Sequence, residues 1–186
     1  MARPVALLDA NVLYPARLRD LLIRLDIAGL YQARWSEQIL DECFENLVEN
    51  RPDLADGRLD RTRERMTAAL PDAIVADYED LIEEQNLPDP DDHHVLAAAI
   101  RAGATHLVTN NLDDFPVDNV PEELLVVSPD AFVTDLADDD IETVLRVVET
   151  QAGQLKNPPM TTNELLEGLG EVELVAFVQR VRNALT

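Results

Sequence analysis

Cysteine, lysine and glycine are scarce in this sequence, and each shortage excludes a class of protein. The single cysteine, Cys43, rules out a disulfide framework within the chain and favours a reducing compartment. None of the six glycines forms the glycine-rich fingerprint of dinucleotide-binding proteins. The single lysine, Lys156, stands outside any P-loop motif. Disulfide-stabilised, dinucleotide-binding and P-loop proteins are therefore excluded.

Long apolar runs and basic residues are also scarce. No apolar run approaches the length of a membrane span, and the first residues lack a signal-peptide pattern, so we expect a cytoplasmic protein without a membrane partner. The 37 acidic residues outnumber the 15 basic ones, which leaves a net charge of −22. This charge disfavours nonspecific contact with nucleic acid or anionic membranes, and it favours a cation-binding surface, a basic partner or a salty cytoplasm.

The first two thirds of the chain alternate between strand and helix patterns. With 186 residues, of which 46% are hydrophobic, the chain can bury a full core. Short apolar runs at 5–8, 31–35, 105–109 and 124–127 are strand candidates, and helical stretches separate them. This order predicts an α/β fold with a mainly parallel central sheet between two layers of helices.

The individual helices are indicated by their caps and apolar stripes. Five helices are predicted before Ser128. The first covers 14–29, the second follows a cap at Ser36, and the third carries the arginines from Arg58 to Arg65. The fourth begins at Asp77 and the fifth at Asp89. After Ser128 the pattern is helical only, with a helix after Asp140, a capping box at Thr161 and Glu164, and a last helix at 172–185. We therefore divide the chain into an α/β domain, 1–135, and a helical C-terminal extension, 136–186.

Four separate acidic residues stand where an apolar element meets a turn or a helix face. Asp9 closes the first strand, Glu42 and Asp92 share helix faces with apolar residues, and Asp114 lies in the loop after the third strand. Ionised carboxylates on such faces are costly unless a partner or a metal compensates them, and Mg²⁺ prefers carboxylate oxygens. For any one of these acids a helix cap or a solvated edge is the simpler interpretation, above all for Asp92, because first-turn acids stabilise the helix dipole.

The segments around these acids resemble the motifs of PIN-domain ribonucleases. The matching segments, in chain order, are Leu7 to Leu13, Trp35-Ser36 with Glu42, Asp92 to Ala99, and Leu107 to Asn111 running on to Asp114-Phe115. Among PIN proteins the chain is most similar to VapC toxins of bacterial toxin–antitoxin pairs, in a branch with a helical C-terminal extension. The resemblance covers residues 3–130 well and the rest loosely.

The resemblance implies a three-layer α/β/α fold, Mg²⁺ or Mn²⁺ as cofactor, and endonucleolytic hydrolysis of structured RNA such as tRNA or rRNA. It assigns Asp9, Glu42 and Asp92 as metal ligands, with Asp114 completing the site. Many members have an aspartate where this chain has Asn111, so the fourth acid is Asp114 or Asp113. The expected burial of Phe115 would fix the direction of the Asp114 side chain, which favours Asp114. The implied partner is a cognate antitoxin.

Further polar residues near the acids are candidates for orienting ligands or substrate. Asn11 and Thr109 fit this role and fit equally well as turn and strand-end residues, as does Asn111. Arg17 and Arg19 follow the Asp9 loop and are candidates for binding RNA phosphates, or they pair with surface acids. His93 and His94 are expected to face other sides of the helix than Asp92.

Other functions remain open beside the metal-dependent ribonuclease. Asn11 stands where a phosphoaspartyl hydrolase needs a second aspartate, which excludes that class. A PIN-like scaffold that binds a protein and cleaves nothing, and a DNA-directed or structure-specific nuclease, are the alternatives. The C-terminal extension is expected to cover part of the body or to form a homodimer or antitoxin contact.

Overall fold

The centre of the protein is a four-stranded parallel sheet. A computed structural model describes residues 2–186, and within them the strands follow the order β2-β1-β3-β4. The strands are β1 (Val5–Leu8), β2 (Gln32–Arg34), β3 (His106–Val108) and β4 (Leu125–Val127). An isolated parallel bridge between Trp35 and Ile74 continues the sheet beyond β2. The predicted α/β fold with a mainly parallel sheet is confirmed.

Helices surround this sheet and make up the whole C-terminal part. The α-helices are α1 (Ala10–Leu13), α2 (Ala16–Ile27), α3 (Glu37–Asn50), α4 (Arg58–Ala69), α5 (His93–Arg101), α6 (Pro129–Asp139), α7 (Ile141–Gln154), α8 (Thr162–Glu171) and α9 (Val175–Leu185). Short 3-10 helices lie at Pro52–Leu54, Pro71–Ala73, Glu79–Glu84, Pro90–Asp92, Leu112–Asp114 and Val117–Asn119. None of the helices in residues 2–186 combines the length and apolar character needed to cross a membrane.

Several predicted helices differ from the observed ones for local reasons. The helix predicted from Tyr14 begins only at Ala16, because Pro15 before it has an extended backbone and no N–H to donate. Asp77 has a positive φ of 58°, so the segment that follows forms only the 3-10 helix Glu79–Glu84. The last helix begins at Val175 because Glu173, with a φ of 67°, interrupts the chain before it.

Two of the helix caps predicted from the sequence are present in the structure. The Ser36 hydroxyl accepts a hydrogen bond from the Ile39 N–H at 3.1 Å and so starts α3. In the C-terminal part, Thr161 and Glu164 form the complete capping box of α8. These two helix starts are confirmed.

The C-terminal helices share one core with the sheet. Phe132 of α6 packs edge-on against Tyr31, with ring centroids 5.1 Å apart, and both side chains belong to the same buried cluster as Leu169 and Phe177. Helix α6 also runs unbroken through residue 135, where the sequence suggested a domain boundary. Removing the C-terminal helices would therefore expose apolar side chains of the α/β part.

Polar contacts tie these helices to α2. The Arg24 guanidinium donates to Gln154 Oε1 at 2.8 Å, and the Gln151 side chain donates to the Arg17 carbonyl at 3.1 Å. Helix α2 follows directly after the turn that holds Asp9. The C-terminal helices thus pack against the element that leads away from the predicted site.

Candidate active site at the carboxyl ends of the strands

Asp9 lies at the centre of the candidate site. It follows β1, an inner strand, and its side chain is only 5% exposed. Its Oδ1 accepts a hydrogen bond from the Ala10 N–H at 2.7 Å, which caps α1. Burial raises the pKa of the Asp9 carboxyl, the hydrogen bonds from Thr109 and Ala10 oppose the rise, and the negative charge of Glu42 adds to it.

Two neighbouring side chains hold the second carboxylate oxygen of Asp9. The Thr109 hydroxyl donates to Asp9 Oδ2 at 2.8 Å and the Asn11 amide donates to it at 3.0 Å. Thr109 is completely buried at the end of β3, and its hydroxyl also accepts from the Asn111 N–H at 3.1 Å. Asn11 Oδ1 accepts from the Asn110 N–H at 3.0 Å. The loops after β1 and β3 are therefore joined around the Asp9 carboxylate.

Asp92 is the last residue of the 3-10 helix Pro90–Asp92 and occupies the N-cap position of α5. Its side chain makes no capping hydrogen bond, whereas the Asp89 side chain caps the turn by accepting from the Asp91 N–H at 2.9 Å. Asp92 therefore does not cap α5 by a side-chain hydrogen bond, although its charge lies at the start of this helix. Its half-buried carboxylate has no capping partner to compensate for its burial.

Three other carboxylates lie close enough to Asp92 to act on its charge. Burial first, and then the charges of Asp9, Asp114 and Asp89, raise the pKa of Asp92 to about 6, while His94 opposes the rise. Asp9 is coupled in the same way to Glu42. Asp9, Glu42, Asp92 and Asp114 thus lie in one shared negative field, although they are spread over more than a hundred positions of the chain.

Of the two acids that follow Asn111, the structure brings Asp114 towards the other acids. Phe115, with 2% exposure, is buried directly after it, and Asp114 itself is half-buried. Asp113 is exposed. The placement of Asp114 agrees with the side-chain direction that was predicted from the burial of Phe115. Asn111 is exposed beside the site, and its backbone rather than its side chain is bound to Thr109.

The donor set fits a hard divalent cation, but the structure holds no preformed cage for one. Within residues 2–186, no group of three or more His, Cys, Asp or Glu side chains is close enough together to enclose a metal ion. Mg²⁺ is usually held by one or two carboxylates, with waters and substrate phosphates as its other ligands. The charges of Asp9 and Asp114 act on Asp92, whose pKa rises to about 6, and the charge of Glu42 acts on Asp9; this arrangement matches such a site, because a cation would relieve the repulsion.

The two arginines after the Asp9 loop lie in different surroundings. Arg19 is buried, and its guanidinium donates to the Leu13 and Tyr14 carbonyls at 2.7 and 3.3 Å. It braces the turn between α1 and α2 and has no surface to offer to a phosphate. Arg17 is 39% exposed and lies 3.7 Å from Glu171 of α8. Arg17 is therefore the only one of this pair that faces solvent in part.

The histidines after Asp92 differ from the expectation that both turn away from the acids. His93 Nε2 accepts a hydrogen bond from the Leu87 N–H at 3.1 Å, so this ring holds the preceding loop. His94 is buried, and its Nε2 lies 2.7 Å from Glu42 Oε1 of α3. His94 therefore contacts one of the candidate acids, although the sequence pattern predicted that it faces away from them. The available signal was its position at the start of the buried run Val95–Ala99.

The fold and the acidic site define the class of protein. The family model described as PIN domain matches residues 5–113, more than half of the chain, and this chain belongs to that family. The model described as VapC50 C-terminal domain matches residues 129–183, which are α6 to α9 without the last residues. The recognition of a VapC-type PIN protein with a C-terminal extension is confirmed.

A curated relative in Mycobacterium tuberculosis (strain ATCC 25618 / H37Rv) carries the description "Putative ribonuclease VapC50". It is 38% identical to this chain over 114 residues, which are 61% of this chain and 66% of the relative. The match therefore spans slightly less than two thirds of the relative's length. No solved structure matches this chain significantly.

Proposed function

We propose that this VapC-type PIN protein is a metal-dependent endoribonuclease and the toxin of a toxin–antitoxin pair. The observation that carries the proposal is the placement of Asp92 beside Asp9 and Asp114, whose negative charges raise the pKa of the Asp92 carboxyl. The similarity to a relative described as a ribonuclease supports the reaction class. The substrate class that fits is structured RNA, tRNA or rRNA, in the cytoplasm, and the proposed partner is a cognate antitoxin.

Asp9, Glu42, Asp92 and Asp114 are the residues that would hold Mg²⁺ or Mn²⁺. Bound at these carboxylates, the ion would lower the pKa of a water and offset negative charge on the scissile phosphate. Asp9 provides the most rigid carboxylate, because Ala10, Asn11 and Thr109 together donate three hydrogen bonds to it. Asn11 and Thr109 therefore orient Asp9, and through it any ligand or substrate that the site binds.

Specific contacts must bring the substrate to the site, because the protein's field repels it. The net charge of −22 opposes RNA at long range, with screening over about 8 Å at physiological salt. The Arg19 guanidinium is hydrogen-bonded within the α1–α2 turn and contributes no phosphate contact. Arg17 lies against α8 and reaches a phosphate only by leaving Glu171. The exposed amide of Asn111 is the remaining polar candidate beside the acids.

The test is cleavage of total RNA by the full chain with Mg²⁺, with Mn²⁺, and with excess EDTA. Cleavage is expected with either metal and is expected to stop in EDTA. Asp92→Asn should abolish it, whereas Asp91→Asn, which changes the exposed neighbour in the same turn, should leave it intact. Unchanged cleavage in EDTA would contradict the proposal, and cleavage of a single-stranded DNA in preference to RNA would move the substrate class to DNA. If no nucleic acid is cleaved and an antitoxin-like protein still binds, the chain is a scaffold.

A further inference from the structure

A buried histidine links two of the acid-bearing helices. His94 of α5 is 4% exposed, and its Nε2 lies 2.7 Å from Oε1 of Glu42 on α3. The Glu42 side chain is 39% exposed, so its carboxylate stands at the border between solvent and the interior. Residues 42 and 94 are far apart in the sequence, and only the tertiary fold brings their side chains together.

Neither nitrogen of the His94 ring completes a hydrogen bond in the structure. Nδ1 and Nε2 are both inaccessible to solvent, and neither has a correctly aligned partner. The Nε2 to Oε1 distance is that of a hydrogen bond, so only the angle between the two groups is unfavourable. Burying a polar ring without partners costs free energy, and an apolar side chain of similar volume would avoid this cost. Packing alone therefore does not account for a histidine at this position.

The acceptor beside the ring determines what the ring can do. A carboxylate oxygen has only lone pairs to offer, so a hydrogen bond between these groups requires the proton on Nε2. A donated hydrogen bond restricts the rotation of the Glu42 side chain, which otherwise has three free torsions and a solvent-facing end. The neighbouring His93 accepts a hydrogen bond from the Leu87 N–H through its Nε2, so the two histidine rings contact different parts of the protein.

We propose that His94 is a positioning residue for the Glu42 carboxylate: its Nε2 lies 2.7 Å from Oε1 and donates to it once the two groups rotate into hydrogen-bond alignment. The inference rests on the proposed metal-dependent function and adds to it a residue outside the four acids. His94 acts through Glu42 and, because it is buried, does not contact the substrate. Residues that orient metal ligands in this way typically change metal affinity or activity by about 10–100-fold when they are replaced.

The test compares two substitutions of similar volume in the full chain. His94→Leu removes the donor, whereas His94→Gln keeps an N–H donor near the position of Nε2. We expect His94→Leu to weaken Mn²⁺ binding, measured by calorimetry, by about 10–100-fold and to lower kcat with little change in KM. His94→Gln should recover most of the Mn²⁺ affinity. His93→Gln, the matched control, should bind Mn²⁺ like the wild type.

A double-mutant cycle connects the effect to Glu42. In a Glu42→Gln background, His94→Leu should cause no further loss of Mn²⁺ affinity, because the group that it positions is already changed. Thermal unfolding of each metal-free variant shows whether the fold is kept.

The outcomes separate this inference from the proposed function. The positioning role would be overturned if His94→Leu bound Mn²⁺ with wild-type affinity. It would also be overturned if His94→Leu lowered the Mn²⁺ affinity equally with Glu42 present and in the Glu42→Gln background. If His94→Gln binds Mn²⁺ as poorly as His94→Leu, an N–H donor at this place is not what positions Glu42, and the positioning role is wrong. A wild type that binds Mn²⁺ but cleaves no RNA would refute the proposed function and leave the positioning result valid. A wild type that binds no Mn²⁺ would overturn both.

Discussion

The guanidinium of Arg17 lies directly over the backbone of Gly168 in α8. A Cβ atom at residue 168 would stand 2.7 Å from Arg17 Cζ, closer than real Cβ atoms approach any atom. The same side chain lies 3.7 Å from Glu171, one turn further along α8. Gly168 thus provides the space in which Arg17 of α2 meets α8, so the α/β part and the C-terminal helices are in direct contact here.

Gly168→Ala should show this contact in a double-mutant cycle with Arg17→Ala. In the Arg17→Ala background the alanine should raise the free energy of unfolding by about 1 kcal/mol, because glycine is a poor residue inside a helix. In the wild-type background the gain should be smaller or reversed, since the flexible Arg17 side chain has to move away. Urea unfolding of the four proteins measures the coupling. Gly170→Ala, in the same helix with open space around it, is the control and should give the same change in both backgrounds.

Asp92→Asn should stabilise the metal-free protein at neutral pH. The folded protein holds the Asp92 proton up to a pKa of about 6, above the ordinary value of 3.8, so ionisation of this group opposes folding. The penalty is complete above about pH 6 and disappears below the unfolded pKa. We expect a gain of about 1 kcal/mol at pH 7.5, reduced from the full shift because the group is half-exposed and screened by water.

The stability gain of Asp92→Asn should also vanish as the pH falls. Unfolding measured between pH 7.5 and pH 4 should bring the variant and the wild type together at the acidic end. Asp91→Asn, the exposed neighbour, should follow the wild type throughout. A variant that unfolds more easily than the wild type at pH 7.5 would show that Asp92 has a structural role.

Thr109→Val should weaken both the fold and the proposed metal site. The substitution keeps the volume but removes the hydroxyl that donates to Asp9 Oδ2 and accepts from the Asn111 N–H. Because both partners are left with an unmet hydrogen bond, the loss should be about 1–3 kcal/mol, with Mn²⁺ affinity reduced about 10-fold.

Thr134→Val is the matched control for Thr109→Val. The Thr134 hydroxyl is buried within α6 and has no hydrogen-bond partner among residues 2–186. Replacing it by an apolar group should be neutral or stabilising, as measured by thermal unfolding. Equal destabilisation by the two valines would mean that the hydrogen bonds to Asp9 do not matter for the fold.

The fourth acid can be identified by comparing two neighbouring substitutions. Asp114→Asn should weaken Mn²⁺ binding and cleavage, because this residue lies in the field of Asp92. Asp113→Asn should leave both unchanged, since Asp113 is exposed. Calorimetric titration with Mn²⁺ and an RNA cleavage assay measure the two effects. The opposite result would assign the fourth position to Asp113.

The sequence alone determined the parts that depend on local patterns. Strand runs alternating with capped helices are enough to predict a parallel sheet, because connections between parallel strands cross over one face. Asp9 follows β1 directly and Thr109 follows β3, so their proximity results from two adjacent parallel strands that end at the same edge. Ser36, Thr161 and Glu164 are local caps that act within three residues of their helix starts.

Only the tertiary structure decided how side chains from distant segments meet. The contact between His94 and Glu42 depends on the rotation of α5 against α3, which the helix period of each segment does not define. The burial of Arg19 and the position of Arg17 over Gly168 depend in the same way on packing around α2. Sequence patterns show which face of an element is apolar, but the neighbour that covers this face, and the polar side chains enclosed with it, are selected by the close packing of the whole core.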